Sequence, residues 1–120
     1  MKTWAVVGLG NNPERAAFGV AKLLQDKGHR IIPVYPRAET VHGEVSYKTL
    51  SEIPGPVDVV DCFVNSTLVG KVVDEAIAIG AKAVWLQLDV IDNDAIARAQ
   101  AAGLITVMDR CPAIEYRKKS

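Results

Sequence analysis

Residues 5–14, Ala5-Val6-Val7-Gly8-Leu9-Gly10-Asn11-Asn12-Pro13-Glu14, carry the clearest chemical signal in this chain. An apolar run stops at glycine and gives way to residues that start helices. Val6 and Val7 suit a strand buried on both faces, while Gly8 and Gly10 let backbone N–H groups approach an anion without a Cβ in the way. Asn12 is a good N-cap and Pro13 a good first helical residue, so the free N–H groups of a helix start would aim at the same place. The spacing matches only part of the dinucleotide pattern Gly-x-Gly-x-x-Gly, because Pro13 stands at its third glycine. On these residues alone the turn is either an anion or nucleotide site or a plain strand-to-helix turn. A branched side chain at Gly10 is expected to obstruct the anion and to meet a positive φ.

The other groups able to do chemistry are scattered. His29 follows a glycine and His42 lies in an irregular stretch, neither near a Ser, Cys or paired carboxylate, so both read as solvated histidines. Asp58 and Asp61 lie on opposite faces of one strand, which argues against an acid/base pair and for helix-facing or capping roles. Cys62 falls in an apolar strand and Cys111 beside a turn, with no CxxC and no second pair. Disulfide and zinc frameworks are therefore not expected. Cys111 follows the last strand and could approach a ligand thiol, but a packed thiol before Pro112 is the preferred reading.

Hydrophobic periodicity supplies the elements that must position the opening turn. Ala17, Val20, Ala21 and Leu24 repeat at helical spacing up to Lys27-Gly28, and Arg30 to Val34 reads as a short strand. Pro33 places that strand near an edge or a break in the ladder. A short strand at Val45 to Tyr47 and one helical turn from Leu50 to Ile53 precede Pro54-Gly55-Pro56. Val57 to Val64 is the next strong strand, and Ser66 can cap a helix with Val69, Val72, Val73, Ala76 and Gly80 on one stripe. Ala83 to Leu88 is a strand, Asp92 or Asn93 can cap a third helix ending at Gly103, and Ile105 to Met108 is the last strand. Trp85 reads as core and Trp4 as an end-of-strand packing residue.

Repeated β-α-β units with right-handed crossovers give an α/β, doubly wound, mostly parallel sheet of Rossmann-like type. Ligands of such sheets lie beyond the carboxyl ends of the strands where the winding reverses. The reversal is expected between the first strand and Val57 to Val64. Gly8 to Asn12, Tyr35 to Arg37, Phe63 to Ser66, Gln87-Leu88 and Asp109 to Cys111 would gather there. An NAD enzyme needs an acid near the end of the second strand, and Tyr35-Pro36-Arg37 offers a cation instead. That favours NADP or a 3′-phosphorylated nucleotide such as coenzyme A.

Length and composition bound the rest. A chain of 120 residues is expected to form one domain, residues 1–120, with no room for a second catalytic one. Its formal net charge of +0 offers no long-range pull on nucleic acid or membrane, and Arg117-Lys118-Lys119 reads as a solvated end. No apolar run approaches a membrane span, and a cytoplasmic location is expected.

From Ala5-Val6-Val7-Gly8 through Asn12-Pro13-Glu14-Arg15, Ile31 to Pro36, Val57 to Asp61, Ala76 to Lys82, Val84 to Leu88 and Val107 to Cys111, the chain resembles the small single-domain coenzyme A-binding proteins. Their fold is shared with the nucleotide-binding domain of the succinyl-CoA synthetase alpha subunit. The resemblance implies that Gly8, Leu9, Gly10, Asn11, Asn12 and Arg15 lie near the pyrophosphate. It places Arg37, beside Tyr35 and Pro36, at the position of a basic residue near the phosphates. Phe63, Val64 and Asn65 would line the adenine or pantetheine path. Gly10 stands where these proteins often have serine and Ala17 where a small hydroxyl residue is common, so two hydroxyl donors are missing. The expected function is binding of coenzyme A or a short acyl-CoA without catalysis. The synthetase's phosphorylated histidine belongs to a further domain. The rival readings are an NADP-dependent reductase fragment and a regulatory protein with a nucleotide-sensing pocket and an unidentified protein partner.

Overall fold

The computed structural model describes residues 2–37, 40–112 and 114. Strand β1 (Thr3–Val7) leads through α1 (Ala16–Asp26) to β2 (Arg30–Val34), followed by a hairpin of β3 (Thr40–Val41) and β4 (Glu44–Val45) and a 3-10 turn at Leu50–Glu52. Then come β5 (Val59–Cys62), α2 (Ser66–Ala78), β6 (Ala83–Leu86), α3 (Asn93–Ala101) and β7 (Ile105–Val107). The five main strands lie in the order β2-β1-β5-β6-β7, all parallel. The winding reverses between β1 and β5, as the alternation of elements predicts, and this is the Rossmann-like doubly wound architecture.

Because the chain turns one way from β1 and the other way from β5, its helices cover opposite faces. Ala17, Val20, Ala21 and Leu24 of α1 pack with Trp4, Val6, Ile31 and Val59 on one face. Val69, Val73 and Ala76 of α2, with Ala95 and Ala99 of α3, pack with Ala5, Val60, Cys62 and Val84 on the other. Alternate residues of β1 and β5 thus feed two separate cores, the pattern of strands buried on both faces.

Several helix starts differ from expectation. Helix α1 begins at Ala16, because Asn12 and Pro13 form a separate turn in which the Asn12 side chain accepts from Glu14 N. Asn65, not Ser66, caps α2 by accepting from Thr67 N at 3.0 Å, and Ser66 Oγ instead bridges Asp89 O and Ile91 N. Asp92 caps α3 as predicted, accepting from Ala95 N at 2.9 Å. Asp58 and Asp61 cap no helix. Asp58 accepts from the backbone N–H groups of Lys2 and Thr3, and these bonds, assisted by Lys82, hold its carboxyl below the usual range. Neither histidine is free in solvent. His29 packs against Trp4 with ring centroids 5.4 Å apart, and His42 stacks near Phe18 and reaches its backbone carbonyl at 2.8 Å.

Pro33 lies in β2, an edge strand, so its missing N–H breaks no interior ladder. Tyr47 runs alongside, donating its N–H to Pro33 O and accepting from Tyr35 N.

At the reversal Gly8 has φ +95 and donates its N–H to Val34 O, while a Cβ there would be driven into the Phe63 carbonyl. Gly19, exposed within α1, has open space around its missing side chain. Gly8→Ala should therefore destabilise the fold by about 1–3 kcal/mol. Gly19→Ala should stabilise it by about 0.5–1 kcal/mol through lower unfolded-state entropy. Urea unfolding of both variants checks the pair, and a Gly8→Ala variant as stable as the parent would contradict the backbone geometry.

Candidate ligand cleft at the sheet switch point

A cleft of about 240 Å3 opens over the carboxyl ends of β1, β5 and β6. Gly8, Arg15, Phe63 and Val64 line it together with Ala16, Ala17, Gln87, Leu88 and Val90. One wall is the start of α1. Arg15 occupies the N-cap position without a side-chain capping bond, and although Phe18 N donates back to Arg15 O at 3.1 Å, the N–H groups of Ala16 and Ala17 have no partner among the described residues. The opposite wall is apolar, from Val64, Leu88 and Val90. An anionic group followed by an uncharged arm matches this division.

The other residues expected at the site are placed differently. Leu9 is fully buried in the core beside α1, so only its backbone is available to a ligand. Gly10 does not have a positive φ, contrary to expectation, and a Cβ there would come within 2.7 Å of the Tyr35 ring. Its lack of a side chain accommodates tyrosine packing. The left-handed conformation belongs to Gly8 alone in this turn. Asn11, Asn12 and Pro36 are exposed and do not line the cleft, and Asn65 is occupied as the α2 cap. Arg37 is exposed in a second concavity of about 460 Å3, with Ser46, Tyr47, Lys48 and Glu52.

Behind Gln87 is a group whose role the alternation of strand residues alone does not reveal. Asp61, in the middle of β5, is fully buried, and Gln87 Nε2 donates to its Oδ1. Among the described residues its Oδ2 has no hydrogen-bond partner. Burial pushes the carboxyl up to about 8, with the Gln87 bond pulling weakly the other way. Burial also pushes the Cys62 thiol up, with the neighbouring Asp61 charge adding to it, so this cysteine is a packed, inert thiol. Cys111 is half-buried, packs with the α1-side core and does not line the cleft. Among the described residues no cluster of His, Cys, Asp or Glu is arranged to hold a metal ion.

The loop after β7 closes over the end of β6. Trp85 Nε1 donates to Arg110 O at 2.7 Å, and Asp89 N donates to Asp109 Oδ1 at 2.7 Å. Asp89 and Asp109 both adopt positive φ. Arg117, Lys118 and Lys119 lie outside the described residues.

The Asp61 environment fixes a sign for the pH dependence of stability. Folded Asp61 keeps its proton to about pH 8, whereas an ordinary aspartate releases it near 3.8. Between those values the folded chain binds the extra proton, so the contribution of Asp61 to stability is fully present below about pH 4 and is lost as pH rises toward 8. Asp61→Asn should flatten that decline. Thermal melts of parent and variant from pH 4 to 8 measure it, and equal slopes would mean that Asp61 is ionised in the fold.

Comparisons with known proteins give the cleft its context. The model of the CoA binding domain family matches residues 2–117. The uncharacterized protein YneT of Bacillus subtilis (strain 168) is 34% identical over 110 residues, spanning 92% of this chain and 82% of YneT. The acetate–CoA ligase [ADP-forming] II alpha subunit of Pyrococcus furiosus is 36% identical over 81 residues, which is 67% of this chain and only 18% of that subunit. A hypothetical protein from Pyrococcus horikoshii OT3 superposes with a TM-score of 0.93 at 39% identity, covering 98% of this chain and 82% of that one. A Thermus thermophilus protein gives 0.90 at 31%, with 98% and 89% covered. With the family model matched almost end to end, the chain belongs to the CoA binding domain family.

Proposed function

We propose that the chain binds coenzyme A or a short acyl-CoA in this cleft and performs no chemistry of its own. The observation that carries the reading is the start of α1, which lines the cleft without a side-chain cap and so offers N–H groups and a positive dipole end to a pyrophosphate. Gly8 lets the chain turn into that position, and Arg15 stands beside it. Gly8 and Arg15 line the diphosphate side of the proposed site, and Leu9, Gly10, Asn11 and Asn12 continue the same turn beyond the cleft. The proposed ribose-phosphate side extends out of the cleft to the end of β2, where Tyr35, Pro36 and Arg37 follow the strand and Arg37 lines the second concavity. Phe63, Val64 and Asn65 flank the path between them and the apolar wall. A cation rather than an acid after β2 suits a ribose 3′-phosphate. Neither histidine lines the cleft, and the relative with a ligase name is much longer than this chain. The working place of such a binder would be the cytoplasm.

Calorimetric titration with coenzyme A, its 3′-dephospho form, NADP and NAD tests the reading. Coenzyme A should bind better than the 3′-dephospho form and better than NAD. Arg37→Ala should cost roughly tenfold in coenzyme A affinity, as expected for loss of a charge-assisted bond, and added salt should narrow the gap. NAD binding as tightly as coenzyme A would sink the ligand assignment. An unchanged affinity in Arg37→Ala at low salt would remove that residue from the site.

A further inference from the structure

We propose that Gln87 hydrogen-bonds an amide group of the ligand with the end of its side chain that Asp61 leaves free, and that Asp61 is the positioning residue that holds it there. The proposal rests on the coenzyme A reading and assigns that group to an amide of the pantetheine arm, whose N–H and C=O can meet either end of a glutamine amide.

Gln87 follows β6 and is held at both backbone ends, donating its N–H to Cys62 O at 3.3 Å and accepting from Val90 N at 2.9 Å. Its side chain shares a face with Asp61, since Asp61 pairs with Trp85 in register and Gln87 lies two residues further on. With Nε2 donating to Asp61 Oδ1, the amide's other end is Oε1, and among the described residues no group donates to it. Gln87 is only 5% exposed, yet it lines the cleft. A nearly buried amide end there is left for a ligand group.

Asp61 gives the second, independent observation. A fully buried carboxyl with an unpartnered Oδ2 costs stability, and its one hydrogen-bonded neighbour among the described residues is this cleft-lining amide. An apolar residue at position 61 would suit the core better. What the carboxyl contributes is position, because a hydrogen bond that holds one end of the Gln87 amide leaves the other end for the cleft.

The ligand group follows from position. The α1 start and Arg15 form the wall suited to phosphate, and Arg37 lies off the β2 side. Gln87 is on the β6 side beside Leu88 and Val90. A diphosphate at α1 with its nucleoside toward β2 would send its other substituent toward β6. In coenzyme A that substituent is an uncharged chain carrying two secondary amides.

Calorimetry with two probes, coenzyme A and adenosine 3′-phosphate 5′-diphosphate, which lacks the pantetheine arm, separates the possibilities. Gln87→Met preserves length and removes the amide. It should weaken coenzyme A binding by about three- to tenfold and leave the armless nucleotide unaffected. Asp61→Leu should behave in the same way, whereas Asp61→Asn, which retains an acceptor for Nε2, should restore coenzyme A affinity. Equal coenzyme A affinity in parent and Gln87→Met, or parallel losses for both probes, would overturn the inference while the coenzyme A reading stood. A parent that binds the two probes equally well would also overturn it, because the arm would then make no net contact. A parent that binds neither probe overturns the coenzyme A reading and the inference with it. If Gln87→Met does not melt cooperatively, the Asp61→Leu and Asp61→Asn pair decides.

Discussion

The close approach of β1 to β5 at Gly8 is the constraint on which the site depends. Two parallel strands end side by side there, and their following segments leave in opposite directions, one to α1 and the other to α2. The Gly8 backbone passes so near the Phe63 carbonyl that no side chain could be accommodated, and its φ of +95 turns the chain away from the sheet. The α1 start, the Phe63-Val64 wall and the end of β6 take their places around that crossing. A crevice at this point is therefore a by-product of how the sheet is wound, and the residues lining it decide its use.

The fold was legible because its signals are redundant. Strand runs, helical stripes and glycine stops agree from Trp4 to Met108, and a mistaken boundary in one does not disturb the others. The start of α1 is hidden in the sequence because Asn12-Pro13 has the chemistry of a helix start and forms a freestanding turn instead; local residue types cannot tell these apart without the packing of Leu9 and Ala17. The Gly10 misreading has a similar source. A glycine is explained either by its own backbone or by a neighbour's bulk, and Tyr35, 25 positions away, supplies the bulk.

Gln87 falls at the reversal by its place after a strand, which assigns it no role, and residue type alone makes Asp61 a structural acid. Their connection spans 26 residues and depends on the β5–β6 register, which periodicity does not reveal. Asp58 and Asp61 show how little residue type alone conveys. Three positions apart on one strand segment, the first is held as an anion by backbone N–H groups and a lysine, and the second is kept neutral by burial.

The β2 margin carries a consequence of another kind. An unpaired strand edge is a template on which other chains can add and aggregate. Here Pro33 has no N–H to offer, and Tyr47 takes up the Pro33 carbonyl while receiving the Tyr35 N–H. The chain thus blunts this edge with a short piece of its own backbone rather than with surface charge, a protection that rising salt would not screen away.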